Sequence, residues 1–134
     1  MRKIEKIILH CTATVEGKDY SVATIRGWHK QRGWNDIGYH YLIRLNGTIE
    51  KGRPIERIGA HVHGQNARSI GIAYVGGVDK KLNPKDTRTY RQKAAMKTLV
   101  QELWKQFPNA TLHGHYEFAN KACPSFTVRE KDFR

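Results

Sequence analysis

Short apolar runs rich in β-branched residues recur along the chain, and each predicts a β-strand. They cover residues 4–10, 39–45, 69–75 and 110–113. Asn46-Gly47 follows the second run directly and is a strong hairpin signal, so residues 48–50 are expected to return as an antiparallel strand. The runs therefore predict a sheet that contains at least one antiparallel pair.

Two other segments carry apolar residues at helical spacing. In the longer one these positions form a continuous helical face: Met96, Leu99, Val100, Leu103 and Phe107. We expect Asp86 or Thr87 to cap the start of this helix and Pro108 to end it. The shorter helix is expected to begin after Ser21 and to stop at Gly33.

Strands that alternate with helices, together with a hairpin, predict an α/β fold with a central mixed β-sheet flanked by helices. A length of 134 residues fits one core, so residues 1–134 are expected to form a single domain. Apolar residues make up 39% of the chain, which excludes a disordered protein. No apolar stretch could span a bilayer and no signal peptide is evident, so cytoplasmic synthesis without a transmembrane segment is expected.

The charge balance adds an expectation about partners. The chain has 24 Lys and Arg residues against 12 Asp and Glu residues, a formal net charge of +12. Such a surface attracts polyanions, among them nucleic acid, anionic lipid and acidic cell-wall polymer. The basic residues are spread over many segments, which favours a generally cationic surface over a specific nucleic-acid-binding element.

Histidine and cysteine residues near strand ends are candidates for a metal site. His10 and Cys11 end the first predicted strand, and because consecutive side chains point to opposite faces, only one of them can reach a given metal. His115 and Cys123 are eight positions apart, a distance that a loop doubling back can close. Imidazole and thiolate are preferred zinc ligands, and the absence of CxxC pairs favours an open catalytic site over a closed structural one. Spacing alone leaves several ligand sets open.

Lys121 and Tyr39 each have two readings. Lys121 lies two positions from Cys123 and is either a solvated lysine or a donor to an oxyanion that forms beside the metal. Tyr39 is either a packed strand aromatic or a hydroxyl group that hydrogen-bonds the reacting groups. The residues themselves do not decide between these readings.

Five segments in this order resemble a known family. They are residues 8–14, 33–41, 59–61, 66–72 and 115–126. Together they resemble the zinc-dependent N-acetylmuramoyl-L-alanine amidases, in particular the small phage endolysin type, whose fold is shared with the peptidoglycan recognition proteins. The resemblance extends from about residue 4 to residue 128, nearly the whole chain.

The resemblance implies a set of site residues and a reaction. It implies one Zn²⁺ ion held by His10, His115 and Cys123, catalytic roles for Tyr39 and Lys121, and a place in the substrate groove for His61. The implied reaction is hydrolysis, by zinc-activated water, of the amide bond that joins the lactyl group of N-acetylmuramic acid to L-alanine in bacterial peptidoglycan. Because all three ligands are present, an active enzyme is expected.

Two other functions compete with this interpretation. A catalytically inactive peptidoglycan-binding module would share the fold and the groove, and a basic nucleic-acid-binding protein would explain the charge but not the clustered ligands. The expected enzyme is a monomer that acts either on the wall after release during phage or prophage lysis, or on wall fragments in the cytosol.

Overall fold

The computed structural model describes residues 1–134 and has a mixed β-sheet with one helix on each face. The elements are β1 (Lys6–Cys11), β2 (Thr14–Val15), α1 (Val22–Gln31), β3 (Tyr41–Ile43), β4 (Ile49–Lys51), β5 (Ser69–Tyr74), β6 (Gly77–Val78), α2 (Tyr90–Gln106) and β7 (Thr111–Gly114). The five-stranded sheet has the order β4-β3-β5-β1-β7, and only the β3–β4 pair is antiparallel. This confirms the predicted α/β fold with a central mixed sheet.

The centre of the sheet is buried on both faces because a helix covers each of them. Ile7, Leu9 and Cys11 of β1 pack in the larger apolar cluster, which includes the inner face of α2. The smaller cluster joins Val22 and Ile25 of α1 to the opposite face of β3 and β5. Strands buried on two sides read as continuous apolar runs, which explains the pattern of residues 69–75.

Helix α2 begins later than the sequence predicts. Neither Asp86 nor Thr87 caps it; Thr89 does, with its hydroxyl accepting from the Gln92 amide at 3.0 Å. The Gln92 side chain accepts from the Thr89 amide at 2.9 Å, which completes a capping box. The predicted cap was wrong because Asp86 instead binds the Arg88 side chain.

The predicted hairpin is confirmed, with a shorter strand before the turn. Gly47 has a φ of +89°, the left-handed conformation that favours glycine, and the Asn46 side chain accepts from the Thr48 amide at 2.9 Å. Regular pairing in β3 starts at Tyr41, so Tyr39 lies in the irregular segment before the strand. This position frees the Tyr39 side chain from the alternation of the sheet.

The topology places the candidate ligands close together. Strands β1 and β7 are parallel neighbours, with Leu9 opposite Gly114 in their register. His10 and His115 are the next residues on each side, so both lie at the carboxyl ends of adjacent strands. Ligand sites in α/β sheets favour this edge. No helix in the structure combines the length and apolar character that a membrane-spanning helix needs.

Candidate metal centre and its pocket

Three side chains converge at the carboxyl end of β1. His10 Nδ1 lies 3.2 Å from His115 Nδ1 and 3.8 Å from Cys123 Sγ, and the ligand atoms of the three residues all lie within 4.8 Å of one another. Ligands of a tetrahedral zinc ion are separated by about 3.3–3.6 Å, given bonds of about 2.0–2.3 Å. The three residues therefore form a cluster of the size and chemistry that could hold a metal ion.

Separate elements bring the three residues together. His10 is the last residue but one of β1, and His115 opens a 3₁₀ turn, His115–Glu117, that follows β7. The loop after this turn doubles back, and its Cys123 carbonyl accepts from the Tyr116 amide at 3.0 Å. The Tyr74 hydroxyl holds the same loop by donating to the Pro124 carbonyl at 2.6 Å.

Cys11 is excluded from the cluster by strand alternation. Its side chain points to the opposite face of β1 and is 4% exposed, within the larger apolar cluster. Its backbone amide, however, donates to Cys123 Sγ at 3.2 Å. A hydrogen bond to sulfur stabilises a thiolate. Of this pair, only His10 contributes an atom to the cluster, as strand alternation predicts.

The cluster forms the floor of a pocket of about 210 Å³. The residues that line it are His10, Cys11, Thr12, Ala13, His29, Arg32, Trp34, Tyr39, Ala60, His61, His115, Lys121 and Cys123. Its charged side chains are Arg32 and Lys121, and no carboxylate lines it. The pocket therefore favours ligands that carry negative charge.

Tyr39 and Lys121 both lie in this pocket. The Tyr39 ring is 5.3 Å from the His10 ring, and its hydroxyl has no hydrogen-bond partner in the chain and is not sealed from solvent. Burial raises the pKa of Tyr39, so the phenol remains a neutral donor. Lys121 is exposed and forms no ion pair. Both polar groups are thus available to a bound molecule.

Burial also sets the protonation of the ligands. Desolvation lowers the pKa of His10 well below its usual value and lowers the pKa of His115, so both imidazoles are neutral near pH 7. Hydrogen bonding to the Cys11 thiol and burial raise the pKa of the Cys123 thiol. A bound cation would reverse this preference, because a thiol that coordinates a metal loses its proton.

His61 is buried against the cluster, next to His10. It is 8% exposed, and its Nδ1 lies 2.8 Å from His10 Nε2. Its Nε2 lies 3.1 Å from the Ser69 hydroxyl. No sequence pattern predicts these contacts, because His61 and Ser69 lie 51 and 59 positions after His10 and no periodicity joins them.

Comparison of the sequence with models of protein families identifies the family of this chain. The N-acetylmuramoyl-L-alanine amidase model matches residues 1–126. The chain belongs to this family. It is 44% identical over 128 residues to the endolysin of Klebsiella phage KP32, an alignment that covers 96% of this chain and 85% of the phage protein.

Solved structures agree with the sequence comparison. The N-acetylmuramoyl-L-alanine amidase LysC from Clostridium intestinale matches with a TM-score of 0.84 and 30% identity, over 98% of this chain and 83% of LysC. Wild-type Drosophila PGRP-LB matches with a TM-score of 0.79 and 25% identity, over 92% of this chain and 76% of that one. The predicted kinship with endolysins and with the peptidoglycan recognition fold is confirmed, and the chain is a peptidoglycan hydrolase of the endolysin type.

Several expectations remain predictions after these comparisons. They are the individual roles of His10, His115, Cys123, Tyr39, Lys121 and His61, the identity of the metal as zinc, the single domain over residues 1–134 and the monomeric state. The relatives are phage endolysins and peptidoglycan recognition proteins, which supports the cell wall as the partner.

Proposed function

We propose that this amidase uses one zinc ion, held by His10 Nδ1, His115 Nδ1 and Cys123 Sγ, to hydrolyse the bond between the lactyl group of N-acetylmuramic acid and L-alanine. The observation that carries the proposal is the convergence of these three atoms at the floor of an open pocket. Two imidazoles and one thiolate suit zinc, and three protein ligands are typical of catalytic sites rather than structural ones.

The zinc ion, when bound, supplies Lewis acidity that activates water and polarises an amide carbonyl. The chain's own residues supply the rest of the chemistry. The Cys11 amide stabilises the Cys123 thiolate through its N–H group. Neutral His10 and His115 keep their lone pairs available because burial disfavours their protonation.

Lys121 and Tyr39 act on the substrate in this proposal. When water adds to the amide carbon, negative charge develops on the carbonyl oxygen, and a fixed donor aimed at that oxygen stabilises the transition state more than the ground state. The Lys121 ammonium and the Tyr39 hydroxyl are donors in the pocket without partners in the chain, and each lies beside a proposed ligand. Lys121 is two positions from Cys123, and the Tyr39 ring is 5.3 Å from the His10 ring. Both are therefore assigned to the oxyanion.

The charge of the pocket supports a peptidoglycan substrate. Stem peptides carry carboxylates, and the pocket wall combines Arg32 and Lys121 with no opposing acidic side chain. The net charge of +12 extends this attraction over the molecule, which favours encounter with an anionic wall. We place the enzyme at the cell wall, as an endolysin.

Mass spectrometry of soluble products from purified peptidoglycan tests the proposal. Metal-free enzyme should release nothing, and one equivalent of zinc should restore release of peptides that begin with L-alanine. His115→Ala should lose both zinc and activity, whereas His113→Ala, two residues earlier on β7, should retain both. Wall binding without product in zinc-loaded wild type would make the chain an inactive binding module, and full activity without metal would refute the zinc site.

A further inference from the structure

A buried chain of hydrogen bonds runs from the metal cluster into the sheet. His10 Nε2 lies 2.8 Å from His61 Nδ1, and His61 Nε2 lies 3.1 Å from Ser69 Oγ. His61 is 8% exposed and Ser69 is fully buried. Each ring nitrogen of His61 thus has a partner inside the protein, and neither is left for a molecule in the pocket.

The segment that follows His61 holds it in place. The Asn66 side chain accepts from the backbone amides of His61 and Val62, both at 2.9 Å. Gly71 leaves room for the ring, because a Cβ there would lie 2.6 Å from His61 Cγ. One of the segments that carry the family resemblance, residues 66–72, contains Asn66, Ser69 and Gly71. Their contacts with His61 give a physical reason for the residue type at each position.

The His10 nitrogen that would bind the metal determines which atoms donate and which accept in these hydrogen bonds. A neutral imidazole carries one proton, and a ring that offers the Nδ1 lone pair to a metal must carry that proton on Nε2. His10 Nε2–H then donates to His61 Nδ1, and His61 Nε2–H donates to Ser69 Oγ. In this arrangement each of the two contacts has one donor and one acceptor.

We propose that His61 is a positioning residue, which fixes the tautomer and ring orientation of His10 and does not bind substrate. This inference rests on the proposed function, because it takes His10 Nδ1 as a zinc ligand. Partners of this kind keep a ligand's lone pair aimed at the metal, and their loss typically weakens metal affinity by about 10- to 100-fold. The inference replaces the substrate-groove role that the family resemblance implies for His61.

Two variants of nearly equal shape test the proposal. His61→Asn retains an acceptor close to the position of Nδ1, and His61→Leu has the same size without an acceptor. Competition with a chromophoric chelator should give a zinc dissociation constant within about threefold of wild type for His61→Asn and about 10- to 100-fold weaker for His61→Leu. His63→Leu, at an exposed position two residues away, is the matched control and should bind zinc like wild type.

Nitrogen-15 NMR of labelled histidine provides a second readout. In zinc-loaded wild type and His61→Asn, His10 should be a single tautomer protonated at Nε2, with that proton protected from exchange. In His61→Leu the proton should exchange faster, because its acceptor is gone.

Three results would overturn the positioning role. The first is that the Asn and Leu variants bind zinc with equal affinity. The second is that both variants keep wild-type zinc affinity and only their KM rises. The third is that the His10 Nε2 proton exchanges in His61→Leu as fast as in wild type. If His61→Leu does not fold, Ser69→Ala replaces it and should weaken zinc binding by about threefold or more, with unchanged affinity as the refuting result. If His10→Ala kept wild-type zinc affinity, the proposed zinc site itself would be refuted. Failure of the proposed function and failure of the His61 role therefore give different results.

Discussion

At the scale of single residues, the proposed metal ligands and the proposed substrate-binding groups are different side chains of one pocket. The ligand atoms of His10, His115 and Cys123 face one another at its floor. The polar ends of Tyr39 and Lys121 have no partners in the chain and face the same space. Substitutions in the two sets should therefore have different consequences for metal content and turnover.

Replacing Lys121 with Met should lower kcat by about 100- to 1,000-fold, because the oxyanion loses a charged donor. Zinc content should not change, since Lys121 is not a ligand. Turnover on purified peptidoglycan and metal analysis of the same sample measure both quantities. Lys97→Met, an exposed lysine on α2, is the control and should behave as wild type. Loss of zinc together with activity would show that Lys121 has a structural role.

Replacing Tyr39 with Phe should lower kcat by about 10-fold or more while leaving the free energy of unfolding within about 0.5 kcal/mol of wild type. The ring keeps its contacts with His10 and His29, and the lost hydroxyl has no partner in the chain. Urea unfolding and turnover separate the two effects. Tyr41→Phe, in the adjacent strand, serves as the control. Unchanged turnover in Tyr39→Phe would remove its hydroxyl from the mechanism.

At the scale of elements, the start of α2 depends on one threonine. The Thr89 hydroxyl accepts from the Gln92 amide and donates to the Leu45 carbonyl at 2.7 Å, so it joins the helix to the end of the β3–β4 hairpin. The Gln92 side chain in turn donates to the carbonyls of Ile43 and Val75. The helix is therefore held against the sheet by polar contacts as well as by its apolar face.

Thr89→Ala should lower the free energy of unfolding by about 1–2 kcal/mol, because the helix loses its cap and the Leu45 carbonyl loses a donor. Urea denaturation of the metal-free protein measures the change. Thr127→Ala removes an exposed threonine and should change stability by less than about 0.5 kcal/mol. Equal effects of the two substitutions would contradict the assignment of the cap.

At the scale of the whole molecule, the fold buries several histidines in their neutral form. His29 accepts from the Gly38 amide through Nδ1 at 2.9 Å, and His40 accepts from the Gly71 amide at 3.0 Å. Desolvation lowers the pKa of each to about 4. These rings connect loops to the sheet only while they remain unprotonated.

Acidification should therefore destabilise the protein well before its carboxylates are protonated. As pH falls from about 6.5 to about 4, the unfolded chain takes up protons on these two histidines and the folded chain does not. The stability they contribute is complete above about pH 6.5 and is lost toward pH 4, at about 1.4 kcal/mol per pH unit for each histidine. Urea unfolding of the metal-free protein at several pH values measures this slope. A free energy of unfolding that stays constant from pH 6.5 to pH 5 would contradict it.

The sequence alone determined the features that depend on neighbouring residues. The strands of the sheet, the Asn46-Gly47 hairpin and the placement of His10 and Cys11 on opposite faces follow from local periodicity and turn chemistry. Where spacing left several ligand sets open, the family motifs implied the one that we propose. The predicted cap of α2 was wrong by two to three residues, because Asp86, Thr87 and Thr89 are all residue types that can cap a helix and lie within four positions.

Only the tertiary structure decided what depends on residues far apart in the chain. The contact between His10 and Cys123 joins positions 113 apart, and it exists because parallel pairing of β1 with β7 returns the chain to the same edge of the sheet. His61 is the clearest case. Its buried position, with both ring nitrogens occupied, follows from the space above Gly71 and from the Asn66 side chain, which no local pattern encodes.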